Sequence, residues 1–116
     1  MMRVKIANIY NDNLSDIENI FTPKKTDYGH HVYHQYTISS NIRDKIMKKL
    51  EKNSIGSSIY YPVSLEKQKA FKEVYNDKTI YKNSNYLSSS CLSLPIYPHL
   101  PEDEVHKICE VIKNIK

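Results

Sequence analysis

Apolar positions recur along this chain in rhythms that change several times. From Met2 to Leu14, Val4, Ile6, Ile9, Tyr10 and Leu14 give an imperfect apolar face at helical spacing, which predicts a helix. Asp16 to Gly29 loses that rhythm, and Thr22-Pro23 and Tyr28-Gly29 break it into a loop. The run HVYHQYTI, His31 to Ile38, is rich in aromatic and β-branched residues and predicts a strand. Strand alternation puts Val32, His34, Tyr36 and Ile38 on one face and Tyr33, Gln35 and Thr37 on the other.

Ile42, Ile46 and Leu50, four apart, mark the buried stripe of the next helix, while Lys45, Lys48, Lys49 and Lys52 point to water. Ser39 or Ser40 can cap it, because a serine oxygen satisfies an orphan amide of the first turn. Asn53 to Gly56 ends that helix. Ser57 to Tyr61 then reads as a second strand stopped by Pro62. Ser64 is placed as the N-cap of a short helix reaching about Val74. Asn76 to Tyr86 is polar and loop-like, with a helical turn near Ser84 to Ser89. CLSLPI, Cys91 to Ile96, predicts a third strand that Pro95 interrupts.

The last helix carries the clearest signal. Glu102, Asp103 and Glu104 sit at its start and Lys113 and Lys116 at its end, matching the helix dipole. Val105, Ile108, Cys109, Ile112 and Ile115 make one apolar face. Three short strands separated by helices predict an α+β layer with helices packed on a small sheet. The 116 residues suit one domain, spanning 1–116.

Composition narrows the function classes. With 40% hydrophobic and 26% charged residues, the chain reads as a soluble globular protein. No apolar run approaches the roughly 18 residues needed to span a bilayer, so no membrane partner is expected. The start, MMRVKIANIY, is basic but lacks a continuous apolar core and a small-residue cleavage site, so a cytoplasmic location is expected. The formal charge of +4 comes from lysines spread along the chain, with pairs only at Lys24-Lys25 and Lys48-Lys49. That is a solvated basic surface and not a nucleic-acid stripe, yet it is compatible with a diphosphate-bearing small molecule. Cys91 and Cys109 read as reduced, buried small residues. The two glycines, Gly29 and Gly56, rule out a Gly-rich phosphate loop.

Candidate chemistry is sparse. His30, His31 and His34 cluster in sequence, but on a strand His31 faces away from the other two, and no acid or cysteine nearby completes a metal set. No G-x-S-x-G elbow frames a serine, and the carboxylates of Glu102-Asp103-Glu104 are accounted for by the helix dipole. Catalytic and metal residues are therefore expected to be absent. Ten tyrosines stand out, with Tyr33, Tyr36, Tyr60, Tyr61 and Tyr97 on or just after expected strands. They either fill the core of a small sheet or line a cleft with their hydroxyls, and composition leaves both open.

The order of these pieces carries a resemblance. HVYHQYTI, Arg43-Asp44 early in a helix, Leu50, the turn at Gly56, SIYYPVSLEKQKAF and LSLPIYPHLPEDEV follow one another at natural spacing. Together they resemble the carboxy-terminal region of the DegT/StrS-type sugar aminotransferases, pyridoxal-phosphate (PLP) enzymes of fold type I that aminate nucleotide-linked keto sugars. The resemblance covers nearly the whole chain. It implies the small domain of such an enzyme, with a mostly antiparallel three-stranded sheet.

The same resemblance implies that the PLP lysine, the aspartate at the pyridine nitrogen and the phosphate cup belong to a large amino-terminal domain, a partner absent here. The chain alone is then expected to bind no PLP and to be inactive. In such relatives the residues just before the proline contact the nucleotide sugar, and Tyr60 and Tyr61 match them. Neutral phenol donors suit a sugar diphosphate because they bind oxygens without adding a charge to desolvate. Relatives often carry histidine in a "PLH" run where this chain has Ser64-Leu65-Glu66, and a carboxylate at Glu66 would repel a diphosphate. The resemblance further implies that the helix Met2–Leu14 is the element left most exposed without the large domain, and that the chain either self-associates, as a homo-oligomer, or exposes an apolar face. The alternative is a free-standing small binding or interaction module derived from that domain.

Overall fold

The computed structural model describes residues 2–71, 73–74 and 80–115. The chain runs through α1 (Met2–Leu14), β1 (Tyr36–Ser39), α2 (Arg43–Lys52), two 3₁₀ turns (Leu65–Lys67 and Lys69–Phe71), α3 (Lys82–Ser90), β2 (Cys91–Leu94) and α4 (Glu102–Lys113). The α+β expectation holds, but the sheet has two strands rather than three. β1 and β2 pair antiparallel, with Tyr36 opposite Leu94 and Ser39 opposite Cys91.

Each outer edge of this ribbon carries one further bridge, Phe21 to Ser39 on one side and Ser58 to Ser93 on the other. The expected strand Ser57–Tyr61 is reduced to that bridge, and the hydrogen bonds explain why. In the Ser58–Ser93 register, Gly56 would face Pro95, which has no N–H to give. Tyr60 would face Cys91, whose N–H is already donated to the Leu87 carbonyl at the end of α3. The Cys91 carbonyl is taken by Arg43 Nη1. On neither side is the facing N–H available to extend the bridge.

β1 is also shorter than His31 to Ile38. Tyr33 has φ 51°, outside the extended region, so strand alternation fails before Tyr36. Tyr33 is buried and Val32 exposed, the reverse of a continuous alternation running back from buried Tyr36 and Ile38. The cap expected from Ser39 or Ser40 is corrected: Ile42 is the N-cap of α2 and no side chain caps the first turn, while Ser40 Oγ accepts the N–H of Ile42 itself at 3.1 Å.

The three helices with apolar rhythm build the core. α1 and α2 both pack on α4. Ile6, Ala7, Tyr10 and Leu14 of α1 meet Val105, Ile108, Cys109 and Ile112 of α4 in one buried cluster with Ile46, Leu50, Tyr36, Ile38 and Leu92. Each fully buried aliphatic side chain there is worth about 1.5–3 kcal/mol over its exposed state. The expectation that α1 is the most exposed element is overturned, since its apolar face closes this domain's own core.

The helix expected from Ser64 to about Val74 is likewise corrected. It is two single 3₁₀ turns separated by Gln68, which is extended at φ −74°, ψ 140°. Ser64 Oγ caps nothing and donates to Glu66 Oε1 at 2.7 Å. Part of the expected polar loop, 76–79, lies outside the described residues. Its remainder is helical further than the turn expected near Ser84, since α3 starts at Lys82. Among the described residues no helix is long and apolar enough to cross a membrane.

Candidate functional site

Three of the tyrosines are core residues. Tyr10, Tyr33 and Tyr36 are buried. Tyr10 donates its hydroxyl to the Pro95 carbonyl at 2.7 Å, and Tyr36 donates to Asn11 Oδ1 at 2.6 Å. Burial pushes both phenols well above their usual range. The Cys109 thiol, buried beside them, is pushed up to about 11, with Glu110 adding to the rise and Lys113 opposing it. The histidines do not converge. His31 stacks on Tyr33 with ring centres 3.9 Å apart and accepts the Tyr33 N–H at Nδ1, while His30 and His34 are exposed.

Tyr60 and Tyr61 are the opposite case. They are 47% and 73% exposed, so neither packs inside, and the inside–outside alternation expected of a strand is corrected with the strand itself. Their rings meet edge to face, 6.0 Å apart at 74°. Together they form one side of a hollow of about 440 Å³. Ser84, Leu87 and Ser88 of α3 and the buried Cys91 line it as well. No charged residue lines it.

Each tyrosine also borders a second space. Tyr60 shares a hollow of about 480 Å³ with Gln35, Ser57, Ser58, Ser93 and Tyr97. Tyr61 borders one of about 470 Å³ with Lys67 and Lys69. Tyr60 thus borders a space lined by His34, Gln35 and three serines, and Tyr61 one lined by two lysines. That arrangement offers hydrogen bonds to sugar oxygens and a counter-charge for phosphate.

Glu66 is not brought into this group. It lines none of the three hollows, and its carboxylate turns back to accept the Ser64 hydroxyl. Ser64 does line the tyrosine hollow, so Glu66 is joined to it only through the Ser64 hydroxyl. The α3 residues escaped the sequence reading because a serine- and asparagine-rich helix has no apolar rhythm. Arg43, which holds that helix, drew notice only as part of the Arg43-Asp44 pair.

Comparison with known proteins agrees with the fold and extends it. The model of the DegT/DnrJ/EryC1/StrS aminotransferase family matches residues 1–113. A UDP-N-acetyl-3-dehydro-alpha-D-glucosamine 3-aminotransferase of Acidithiobacillus ferrooxidans is 33% identical over 112 residues, covering 97% of this chain and 30% of its own length. The crystal structure of a DegT DnrJ EryC1 StrS aminotransferase from Brucella abortus is 34% identical with a TM-score of 0.86, over 97% of this chain and 30% of its own. S. venezuelae DesV, solved with a ketimine intermediate, superposes with a TM-score of 0.91 over 96% of this chain and 30% of its own. At 22% identity it speaks to the fold alone. The chain spans about 30% of the length of these relatives and corresponds to their carboxy-terminal domain.

Proposed function

We propose, given that the chain belongs to the DegT/DnrJ/EryC1/StrS aminotransferase family, that it forms one wall of the nucleotide-sugar site of a PLP-dependent aminotransferase. The observation that carries this reading is the paired display of Tyr60 and Tyr61 over an uncharged hollow. The parent reaction moves an amino group from an amino acid, such as glutamate, to a 3-keto or 4-keto sugar. Tyr60 and Tyr61 donate to oxygens of the nucleotide sugar, and Lys67 and Lys69 offset the diphosphate charge. Glu66 holds the Ser64 hydroxyl and keeps a carboxylate near the bound anion.

The described residues do not fit PLP. A lysine that forms a Schiff base needs a desolvated pocket that lowers its pKa, and every described lysine is exposed. Chemistry on the cofactor is therefore assigned to a large catalytic domain outside these 116 residues, and this chain to binding and orienting the substrate.

Two measurements test the reading. Titration with UDP-N-acetylglucosamine should shift the amide resonances of Tyr60, Tyr61, Leu87 and Ser88 together, and no shift there in the millimolar range overturns the sugar-wall role. Incubation with PLP and borohydride should give only slow, scattered lysine labelling. A single stoichiometric adduct would place the cofactor on this chain and overturn the division of labour.

A further inference from the structure

We propose that Arg43 is the positioning residue of the tyrosine hollow: it fixes the α3 wall opposite Tyr60 and Tyr61 and keeps Tyr60 out of the sheet. Arg43 opens α2, and its side chain is only 11% exposed. Its Nη1 donates to the carbonyls of Ser88 and Cys91, both at 3.1 Å. Its Nε donates to Asp44 Oδ1 at 2.8 Å, which fixes the plane of the guanidinium.

Those contacts matter because α3 has little else to hold it. Of its nine residues only Ser90 is buried, so no apolar stripe sets its place. The last carbonyls of a helix lack intrahelical partners. Here the Ser88 carbonyl receives Arg43 and the Ser90 carbonyl receives the Ser40 N–H at 2.9 Å. Polar contacts from the start of α2 thus fix the helix that carries Ser84, Leu87 and Ser88.

The bond to Cys91 has a second effect. Cys91 is the residue Tyr60 would pair with if the Ser58–Ser93 bridge grew into a strand. Its N–H goes to Leu87 and its carbonyl to Arg43, leaving Tyr60 only a contact from the Cys91 thiol to its carbonyl at 3.6 Å. Arg43 therefore competes for the acceptor that would draw the Tyr60 N–H into the ladder. A lysine could not reproduce this, since it lacks the rigid fork that serves several acceptors in fixed directions.

The inference rests on the reading of that hollow as a ligand wall, and the experiment separates the two. Backbone amide exchange is measured on the 116-residue chain and its Arg43→Gln variant. Exchange from Tyr86 to Cys91 should speed up by about tenfold, with the α1 and α4 amides at their original rates. Affinity for UDP-N-acetylglucosamine should fall about fivefold, roughly the worth of one lost hydrogen bond. Arg43→Lys should fall between the two. Unchanged α3 exchange overturns the proposal, and so does a parallel loss of protection in α1 and α4, which marks loss of the core instead. If Arg43→Gln fails to fold, Asp44→Ala removes the acceptor that fixes the guanidinium plane and should speed the same amides by a smaller factor, no change again counting against. If the parent chain ignores the UDP-sugar while α3 loosens selectively, the sugar-wall reading fails and the positioning role stands. If Arg43→Gln binds it as tightly as the parent, the positioning role fails and the sugar wall stands.

Discussion

The ring of Tyr36 lies 4.7 Å from that of Tyr10, with 25° between the ring planes, joining the end of the sheet to the helix α1. Both rings are fully buried and both hydroxyls are satisfied within the chain. Tyr10→Ala should therefore cost about 3–5 kcal/mol, as for other large aromatic deletions in a core. Tyr10→Phe should cost about 1 kcal/mol, because only the bond to the Pro95 carbonyl is lost. Urea unfolding of the two variants checks both values, and equal costs would mean the stack itself contributes nothing.

The same buried groups set the alkaline limit of the fold. The Cys109 thiol is raised from its ordinary 9.0 to about 11, mainly by burial. Between those values the unfolded chain releases the proton that the folded chain retains, so unfolding gains. The stability is intact below pH 9.0 and is lost as pH rises to about 11. Tyr10 and Tyr36, also raised by burial, extend the loss upward from their ordinary 10.0. Each proton retained contributes a slope of about 1.4 kcal/mol per pH unit within its window. Urea midpoints should fall steadily above pH 9, and Cys109→Ala should flatten the first part of that fall.

What could be read in advance follows from which contacts have a periodic signature. α1, α2 and α4 are amphipathic at helical spacing, so Ile6, Tyr10, Ile46, Leu50, Val105 and Ile112 were legible as core. α3 was not, because it is ordered by Arg43, by the Ser40 N–H and by Ser88, Ser89 and Ser90 hydroxyls donating back to carbonyls in the preceding turn. None of these has a spacing rule in the sequence. Ser57–Tyr61 reads as a strand, but beyond the Ser58–Ser93 bridge it faces Pro95, which has no N–H, and Cys91, whose N–H goes to Leu87 and whose carbonyl receives Arg43. Tyr60 and Tyr61 came from the family resemblance, and Arg43 could not be ranked until its three bonds were visible.

Self-association should run through the tyrosine face and not through α1. Tyr61, Leu65 and Leu87 are 73%, 49% and 52% exposed around one hollow, a concentration of apolar surface that soluble monomers usually cover. Sedimentation should show concentration-dependent association that Leu87→Lys suppresses. Association that Leu87→Lys leaves intact, or a clean monomer at every concentration, would place the contact elsewhere or remove it.

The last prediction separates the phenols from the carboxylate beside them. Tyr61 is mostly exposed, so Tyr61→Phe should leave stability nearly unchanged. In the nucleotide-sugar site it should weaken binding by about 0.5–1.5 kcal/mol, the scale of one neutral hydrogen bond. Tyr60→Phe should do the same, since Tyr60 is 47% exposed and borders two hollows. Glu66→Gln acts in the other direction. The amide oxygen can still accept the Ser64 hydroxyl, but the negative charge near a bound diphosphate is gone. Affinity for UDP-N-acetylglucosamine should therefore rise in Glu66→Gln while it falls in both tyrosine variants. A Glu66→Gln variant that binds more weakly than the parent would mean that the carboxylate is itself a ligand for a sugar hydroxyl, with the phosphates lying elsewhere.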